Sequence, residues 1–256
     1  MLADDGTCWI NIDDTYMSSG GASRYWGYND PKYPEGRRVD YLEPQSFKHP
    51  IIKPKDLCLI PQRFIIALQE DGWYVRCDGI WNKPNTMPES ATDRMTRNHE
   101  YIFLLTKKNR YYFNADAIKE DSVDPESFTG RRKRGIHKIA ISDPEHAQTI
   151  SKGNAKIGVK YPKRNKRTVW TINTQSDTQA HFATFPDEIP RLCIAAGSRE
   201  GQTILDPFAG SGTTGEVALR MKRNFIGIEL NDKYVSKLIE PKLENVDPLF
   251  RNAVAT

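Results

Sequence analysis

The order of apolar and polar residues along the chain predicts strands that alternate with helices. Short apolar runs typical of buried strands lie at residues 7–12, 73–81, 100–106, 203–205 and 224–229. Apolar residues at helical spacing predict helices after Asp56 and at 187–196, 214–221 and 232–245. Residues 18–50 are rich in Gly, Pro, Tyr and Ser without a sustained period, which predicts a long loop. The pattern therefore indicates an α/β protein.

The first predicted helix has recognisable boundary signals. Asp56 fits an N-cap, and Gly72 follows the apolar positions as a stop. Pro61 either kinks the helix or opens its main part. The apolar positions that recur at helical spacing are Leu57, Ile60, Phe64, Ile65 and Leu68.

The most distinctive segment joins the predicted strand at 203–205 to the helix at 214–221. It reads Asp206-Pro-Phe-Ala-Gly-Ser-Gly-Thr-Thr214, and the next strand ends in Glu229. Strand, glycine turn, helix, strand and acid is the order typical of a nucleotide-type cofactor site. Gly210 and Gly212 remove Cβ atoms where the backbone must approach a ligand. Together with Gly215 they also satisfy the dinucleotide pattern of NAD enzymes.

Length and composition limit the class of protein. At 256 residues the chain accommodates one sizeable α/β domain with an insertion, or two small domains. Its hydrophobic fraction of 38% and charged fraction of 27% are typical of a soluble globular protein. No apolar run approaches the length of a membrane span and no signal peptide opens the chain, which predicts a cytoplasmic protein without a membrane partner. The four scattered cysteines predict reduced thiols and no metal site.

The charge distribution is more informative than the formal net charge of +4. Basic residues cluster at 131–134 and 160–167, within a polar stretch from about 117 to 167 that predicts an insertion. Two interpretations stay open for these clusters. They form a solvated loop, or they contact nucleic-acid phosphates.

Taken together, several segments resemble the amino-methylating DNA methyltransferases, specifically the permuted group whose catalytic half precedes the S-adenosylmethionine half. The glycine segment from Asp206 to Thr214 is similar to that family's cofactor loop, and Gly227-Ile-Glu-Leu-Asn231 to its ribose-binding strand end. His181-Phe-Ala-Thr-Phe-Pro186 is similar to the segment that flanks the cofactor's methionine part. Further framework motifs are Asp4-Asp-Gly-Thr-Cys-Trp-Ile-Asn-Ile12, Trp81-Asn-Lys-Pro-Asn85 with Pro88-Glu89, and His99-Glu-Tyr-Ile-Phe-Leu-Leu105.

The resemblance implies a Rossmann-like methyltransferase fold with S-adenosyl-L-methionine as cofactor. Glu229 would accept hydrogen bonds from the ribose, and Leu230 with Phe208 or Phe185 would enclose the adenine. Plain core packing is the alternative for either phenylalanine, and a turn or N-cap acid is the alternative for Asp206. The complete predicted cofactor set is Asp206, Phe208, Ala209, Gly210, Ser211, Gly212, Thr213, Thr214, Glu229, Leu230, Asn231, Thr184 and Phe185.

The implied reaction is methyl transfer to the exocyclic amino group of adenine (N6) or cytosine (N4) in double-stranded DNA, with the target base flipped out. Residues 1–116 would form the remainder of the catalytic half, 117–168 a target-recognition insertion, and 169–256 the cofactor half. A companion restriction endonuclease or a second chain is a further implied partner. The family acts in the cytoplasm of bacteria, and a phage gene in a bacterial host is an equal source.

The family's catalytic loop, of the type Asp/Asn/Ser-Pro-Pro-aromatic, has no counterpart in this sequence. No two prolines are adjacent among the 256 residues, so no catalytic residue is assigned. In the family this loop lies upstream of the strand matched here by residues 7–12. The resemblance thus predicts a chain that lacks the central strand carrying the loop, most simply because it starts at an internal Met. Segment 13–16 also keeps the acid of the family's Gly-Asp motif but replaces its glycine.

Three functions are compatible with these observations. The first is a DNA amino-methyltransferase represented by a chain that is inactive by itself. The second is a non-catalytic module for S-adenosylmethionine or DNA, or a split subunit completed by a partner chain. The third, an NAD-linked oxidoreductase, is disfavoured because only about one helix follows Glu229, which leaves no room for a second mononucleotide-binding half.

Overall fold

The computed structural model describes residues 2–17, 49–122, 162–175 and 186–246, which fall into two compact units. Unit 1 comprises residues 1–111 and 169–173, and unit 2 comprises residues 112–168 and 174–256. Nearly all of the predicted loop at 18–50 and most of the basic insertion, including 131–134, lie outside the described residues. The functional division at 116 and 168 stays a prediction.

The described elements confirm a mixed α/β protein in which each predicted strand has a counterpart. In chain order they are β1 (Thr7–Ile12), α1 (Ile60–Glu70), β2 (Tyr74–Asn82), β3 (His99–Thr106), a 3-10 turn (Ala115–Ile118), β4 (Glu120–Asp121), β5 (Lys163–Arg164), β6 (Val169–Thr171), α2 (Glu188–Gly197), β7 (Thr203–Asp206), α3 (Thr213–Arg220), β8 (Asn224–Gly227), α4 (Asp232–Tyr234), a π-helical turn (Val235–Ile239) and α5 (Glu240–Glu244).

Unit 1 is built on a four-stranded sheet of order β1-β3-β2-β6. Strand β3 is antiparallel to both β1 and β2, and β6 pairs in parallel with β2. The four residues of β3 from Ile102 to Leu105 are all buried. Because successive side chains of a strand point to opposite faces, β3 is covered on both faces, which accounts for its continuous apolar run.

Strand β6 brings the chain back to unit 1 after residues 112–168. The Trp81 indole N–H donates to the carbonyl of Ile172 at 2.8 Å, and the Ile172 N–H donates to the carbonyl of Asn82 at 3.1 Å. The rings of Trp9 and Trp170 lie 6.3 Å apart between their centroids. Both the backbone and the aromatic side chains therefore fix this short strand to the sheet.

Helix α1 starts four residues after the predicted N-cap, so the assignment of Asp56 as the cap is wrong. Asp56 Oδ2 instead accepts from the Lys53 N–H at 2.9 Å. Leu59 occupies the cap position with a left-handed backbone (φ 56°), and the carboxylate of Asp14 accepts the N–H groups of Leu59 and Ile60, each at 3.1 Å. Pro61 opens the helix, where its missing N–H costs nothing.

Unit 2 is organised around the parallel pair β7–β8, with α3 as the connection between the two strands. Its core is formed by Ile194, Val217 and Ala218, against which Ile204, Met221 and Phe225 pack. A Cβ on Gly215 would lie 2.5 Å from Cε1 of Phe225, so only glycine allows helix and strand to approach this closely. The third glycine of the motif thus serves packing.

The C-terminal helix differs from the single helix predicted for 232–245. A π-helical turn over Val235–Ile239 separates α4 from α5. Pro241 lies directly after that turn, and in a regular α-helix its ring would clash with the carbonyl of Lys237. Widening the helix at this point avoids the clash. The turn also buries Ile239 in a cluster with Ala209 and Leu243.

Candidate cofactor-binding site

The loop that follows β7 has a backbone shape fixed by its own hydrogen bonds. The Phe208 N–H donates to Asp206 Oδ1 at 3.0 Å, so Asp206 acts as a turn acid. The Gly212 N–H donates to the carbonyl of Ala209 at 2.8 Å. Gly212 has φ +80° and lies against Ile239, whose Cγ2 would be 3.3 Å from an added Cβ. The left-handed backbone favours glycine here, and Ile239 leaves little room for a Cβ.

Glu229 connects this loop to the one that follows β8. Its Oε2 accepts the Gly210 N–H and its Oε1 accepts the Asn231 N–H, each at 2.9 Å. The sequence predicts that this strand ends at Glu229. The structure ends β8 at Gly227, because the chain turns here to make these bonds. Sequence reasoning assigned Glu229 to a ligand and missed this bridge. No local signal could reveal it, since Gly210 is 19 residues away in sequence.

Two large apolar side chains project from these loops into solvent. Phe208 is 87% exposed and Leu230 is 99% exposed. Core packing, the alternative for Phe208, is therefore wrong. They follow the carboxyl ends of adjacent parallel strands, which is where open α/β sheets bind ligands. Exposed apolar residues at such an edge indicate a binding surface for a flat apolar group.

The N-terminus of α3 lies next to Gly212. The first intrahelical bond runs from the Glu216 N–H to the carbonyl of Gly212, so the N–H groups of Thr213 and Thr214 have no acceptor within the helix. The hydroxyls of Ser211 and Thr213 lie 3.3 Å apart. Free amides, hydroxyls and the positive end of the helix dipole together favour an anionic group.

Asn231 closes the second loop. Its side-chain oxygen accepts the Lys233 N–H at 3.1 Å and thereby caps α4. The structure thus brings together eleven of the predicted site residues, from Asp206 to Thr214 and from Glu229 to Asn231. Thr184 and Phe185, the remaining two, lie outside the described residues.

The basic residues at the described end of the insertion surround one carboxylate. Glu120 Oε1 lies 2.9 Å from Arg164 Nε and 2.6 Å from Arg167 Nε, while Lys166 Nζ is 3.9 Å from Oε2. Burial raises the pKa of Glu120, but the hydrogen bond from Arg167 and the charges of Arg167 and Arg164 outweigh it and lower that pKa. A carboxylate of the same chain thus holds these cations in place, and their contact with phosphate stays a prediction.

Within residues 2–17, 49–122, 162–175 and 186–246, no three His, Cys, Asp or Glu side chains form a group that could hold a metal ion. None of the helices in these ranges is long and apolar enough to cross a membrane.

Comparison with known proteins relates the whole chain to one family. The family model described as DNA methylase matches residues 1–240. The Type II methyltransferase M.SmaI of Serratia marcescens is 45% identical over 235 residues, which cover 92% of this chain and 66% of that protein. M.Cfr9I of Citrobacter freundii is 42% identical, with coverage of 92% and 64%. The chain thus spans slightly less than two thirds of the length of these relatives.

Solved structures of low sequence identity share the fold. The PvuII DNA methyltransferase, described as cytosine-N4-specific, superposes with a TM-score of 0.57 at 16% identity, covering 99% of this chain and 72% of that one. A DNA modification methylase from Thermus thermophilus, solved with S-adenosyl-L-methionine, gives a TM-score of 0.52 at 16% identity, with coverage of 96% and 72%. The methyltransferase fold predicted from the motifs is confirmed, and the permuted order of its halves stays a prediction.

Proposed function

Because this chain belongs to the DNA methylase family, we propose that it binds S-adenosyl-L-methionine at the β7–β8 edge and serves methylation of an exocyclic amino group, adenine N6 or cytosine N4, in DNA. The observation that carries the proposal is the Glu229 bridge flanked by exposed Phe208 and Leu230. When bound, the cofactor supplies a methyl group activated by its sulfonium.

The free acceptor capacity of Glu229 suits a ribose. An ionised carboxylate offers about four lone-pair positions, and the two backbone N–H groups occupy one on each oxygen. One position on each oxygen is left for the two ribose hydroxyls. Charge-assisted bonds of this kind are roughly twice as strong as neutral ones. The bridge also holds both loops in place before the cofactor arrives, which reduces the ordering cost of binding.

The remaining groups suit the other parts of the cofactor. Phe208 and Leu230 would hold the adenine between two apolar surfaces, with Phe185 as a further predicted contact. The amides of Thr213 and Thr214 would bind the carboxylate of the methionine part. The chain's own contribution is therefore to bind and orient the donor, and that orientation is a large part of catalysis by proximity.

The chain does not contain the loop with which this family usually contacts the target base. Its 256 residues hold no Pro-Pro-aromatic loop. By itself the chain is therefore expected to bind the cofactor without transferring its methyl group. The second candidate function, a split subunit completed by a partner chain, is favoured by the same observation. We assign the flipped-base duplex to the complete enzyme, with residues 117–168 in target recognition, and a companion endonuclease as a further partner.

Calorimetric titration of the purified chain tests the proposal. We expect S-adenosylmethionine to bind with a Kd in the micromolar range, about −8 kcal/mol, and NAD not to bind. Binding of NAD without S-adenosylmethionine would overturn the assignment.

Incubation with plasmid DNA and labelled cofactor is expected to give no methylation. Co-expression with a fragment of a relative that carries the Pro-Pro-aromatic loop is expected to give it, and mass analysis of the nucleosides then distinguishes N6 from N4. Robust methylation by the chain alone would refute the inactivity.

A second prediction concerns the apolar pair. Phe208→Ala and Leu230→Ala are each expected to weaken S-adenosylmethionine binding about tenfold, because each removes one apolar wall of the adenine site. Both side chains are almost fully exposed, so the melting temperature should change by no more than about 2 °C. Ile51→Ala, which removes an exposed apolar side chain in unit 1, is the matched control and should leave the Kd unchanged. Unaltered affinity in both variants would exclude an adenine site here.

A further inference from the structure

The π-helical turn over Val235–Ile239 packs against the glycine loop, residues 206–214, within unit 2. π-helical turns are rare, and they occur frequently at functional sites. Ile239, the last residue of the turn, is buried in a cluster with Ala209. Its Cγ2 and Cα would lie 3.3 Å and 3.4 Å from a Cβ added to Gly212. Ile239 therefore supports the loop at two residues, and at Gly212 it does so with its backbone as well as its side chain.

The apolar residues of the segment 232–244 recur at four-residue intervals. Ile239 and Leu243 are buried in one cluster, and Val235 packs against it. In a regular α-helix, with about 100° per residue, two steps of four residues drift by about 80° around the axis. A π-helical turn rotates the chain less per residue, so it offsets part of this drift. The turn therefore keeps the three side chains on one face, which is directed at the glycine loop.

The residues that receive this apolar face are small. Ala209, Gly212 and Gly215 follow one another at three-residue intervals. A Cβ on Gly215 would lie 3.0 Å from Cδ2 of Leu243. Gly215 lies inside α3, where glycine is destabilising relative to alanine, so its presence there serves close approach and not helix stability. The start of α3 and the segment 232–244 are thus shaped to fit each other.

Gly212 connects this packing to the proposed cofactor site. It has a left-handed backbone with φ +80° and is the N-cap of α3. Its conformation sets the direction of the first helical amides, those of Thr213 and Thr214, which have no acceptor within the helix. A shift of Ile239 would move Gly212 and therefore both amides. Small displacements of orienting groups have large effects on reaction rates.

We infer that Ile239 is a positioning residue for the cofactor and that the π-helical turn holds it in place. This role rests on the proposed function, which assigns the carboxylate of the methionine part to the amides of Thr213 and Thr214. Ile239 is 7% exposed and acts through Gly212. It holds the left-handed backbone of Gly212 in the orientation that directs the amides at the cofactor.

Calorimetric titration of S-adenosylmethionine into matched variants of the 256-residue chain tests this role. Ile239→Ala should bind about tenfold more weakly than the parent, because the loop is no longer held in its binding conformation. Ile194→Ala makes the same truncation in the other apolar cluster of unit 2, which contains no residue of the glycine loop. Both isoleucines are buried, so the urea midpoint should fall in both variants. The affinity of Ile194→Ala should nevertheless stay within about threefold of the parent.

Two further measurements separate positioning from a loss of stability. Ile239→Val keeps a branched side chain next to Gly212 and should restore binding to within about threefold of the parent. In the cofactor-free chain, the amide NMR signals of Thr213 and Thr214 should shift in Ile239→Ala and stay in place in Ile194→Ala. A purely structural role of Ile239 would not produce this difference.

Parent-like affinity in Ile239→Ala, or an equal loss of affinity in Ile194→Ala, would overturn the role of Ile239 and leave the cofactor site standing. Unshifted amide signals of Thr213 and Thr214 in Ile239→Ala would overturn it as well. If Ile239→Ala does not fold, Ile239→Val takes its place and should bind about threefold more weakly than Ile194→Val, and equal affinities would contradict the role. Absence of binding by the parent chain would overturn the proposed cofactor site together with this inference.

Discussion

Glu229→Ala is expected to weaken S-adenosylmethionine binding by about 100-fold or more, close to 3 kcal/mol. The variant removes an acceptor for two ribose hydroxyls, and it also leaves the N–H groups of Gly210 and Asn231 without their carboxylate. The two loops then lose the bond that joins them, so the cofactor must order them as it binds. Isothermal titration at constant pH gives the Kd directly.

The matched control for this variant is Glu216→Gln. Glu216 lies on α3 directly after the glycine loop, but its carboxylate pairs with Arg220 at 2.6 Å on the helix surface. Exposed pairs at i,i+4 contribute only about 0.3–0.5 kcal/mol, so this variant should bind the cofactor as the parent does. Glu229→Gln should lie close to Glu229→Ala, because an amide carries one acceptor oxygen where the carboxylate has two. Binding by Glu229→Ala within threefold of the parent would remove Glu229 from the site.

Asp14→Ala is expected to lower the free energy of unfolding by about 2–3 kcal/mol. The Asp14 side chain is buried and accepts three backbone N–H groups, those of Thr15 at 2.8 Å and of Leu59 and Ile60 at 3.1 Å. Its removal leaves these donors without an acceptor, and the cap of α1 is lost. Urea unfolding followed by circular dichroism measures the change, provided that the slope with denaturant is unaltered.

Asp56→Ala provides the comparison for Asp14→Ala. Asp56 is the predicted cap, but its half-exposed carboxylate contacts the backbone and the side chain of Lys53 instead. Its replacement should cost less than about 1 kcal/mol. A loss of less than about 1 kcal/mol in Asp14→Ala would show that α1 does not depend on Asp14. A larger effect at Asp56 would restore the original assignment.

Local sequence signals were sufficient for most elements of this fold. The continuous apolar run of β3, the glycine loop before α3 and the stop at Gly72 (φ +97°) each depend on neighbouring residues only. Where prediction failed, the cause is a contact between residues that are distant in sequence. Asp14 caps a helix that starts 46 residues later, and nothing near Asp56 shows that the cap is supplied from elsewhere.

The same distinction between local and long-range signals applies to the candidate site. The residues that form it were predicted because they lie in two short motifs, and the structure brings those motifs together. The role of Glu229 as a bridge was not predicted, since it depends on the pairing of β7 with β8. Pro241 indicates a departure from a regular helix, but a proline is compatible with a kink, a break or a wider turn. The structure has the wider turn, with Ile239 next to Gly212.

The return of the chain through β6 has a consequence for the stretch of sequence that precedes this strand. Unit 1 is assembled from two separate stretches of sequence, residues 1–111 and 169–173, and the parallel pairing of β6 with β2 joins the second stretch to the sheet. Doubling the length of such an intervening stretch costs only about 0.6 kcal/mol in closure entropy. The length of the chain between residues 111 and 169 therefore has little influence on the free energy of closing this sheet.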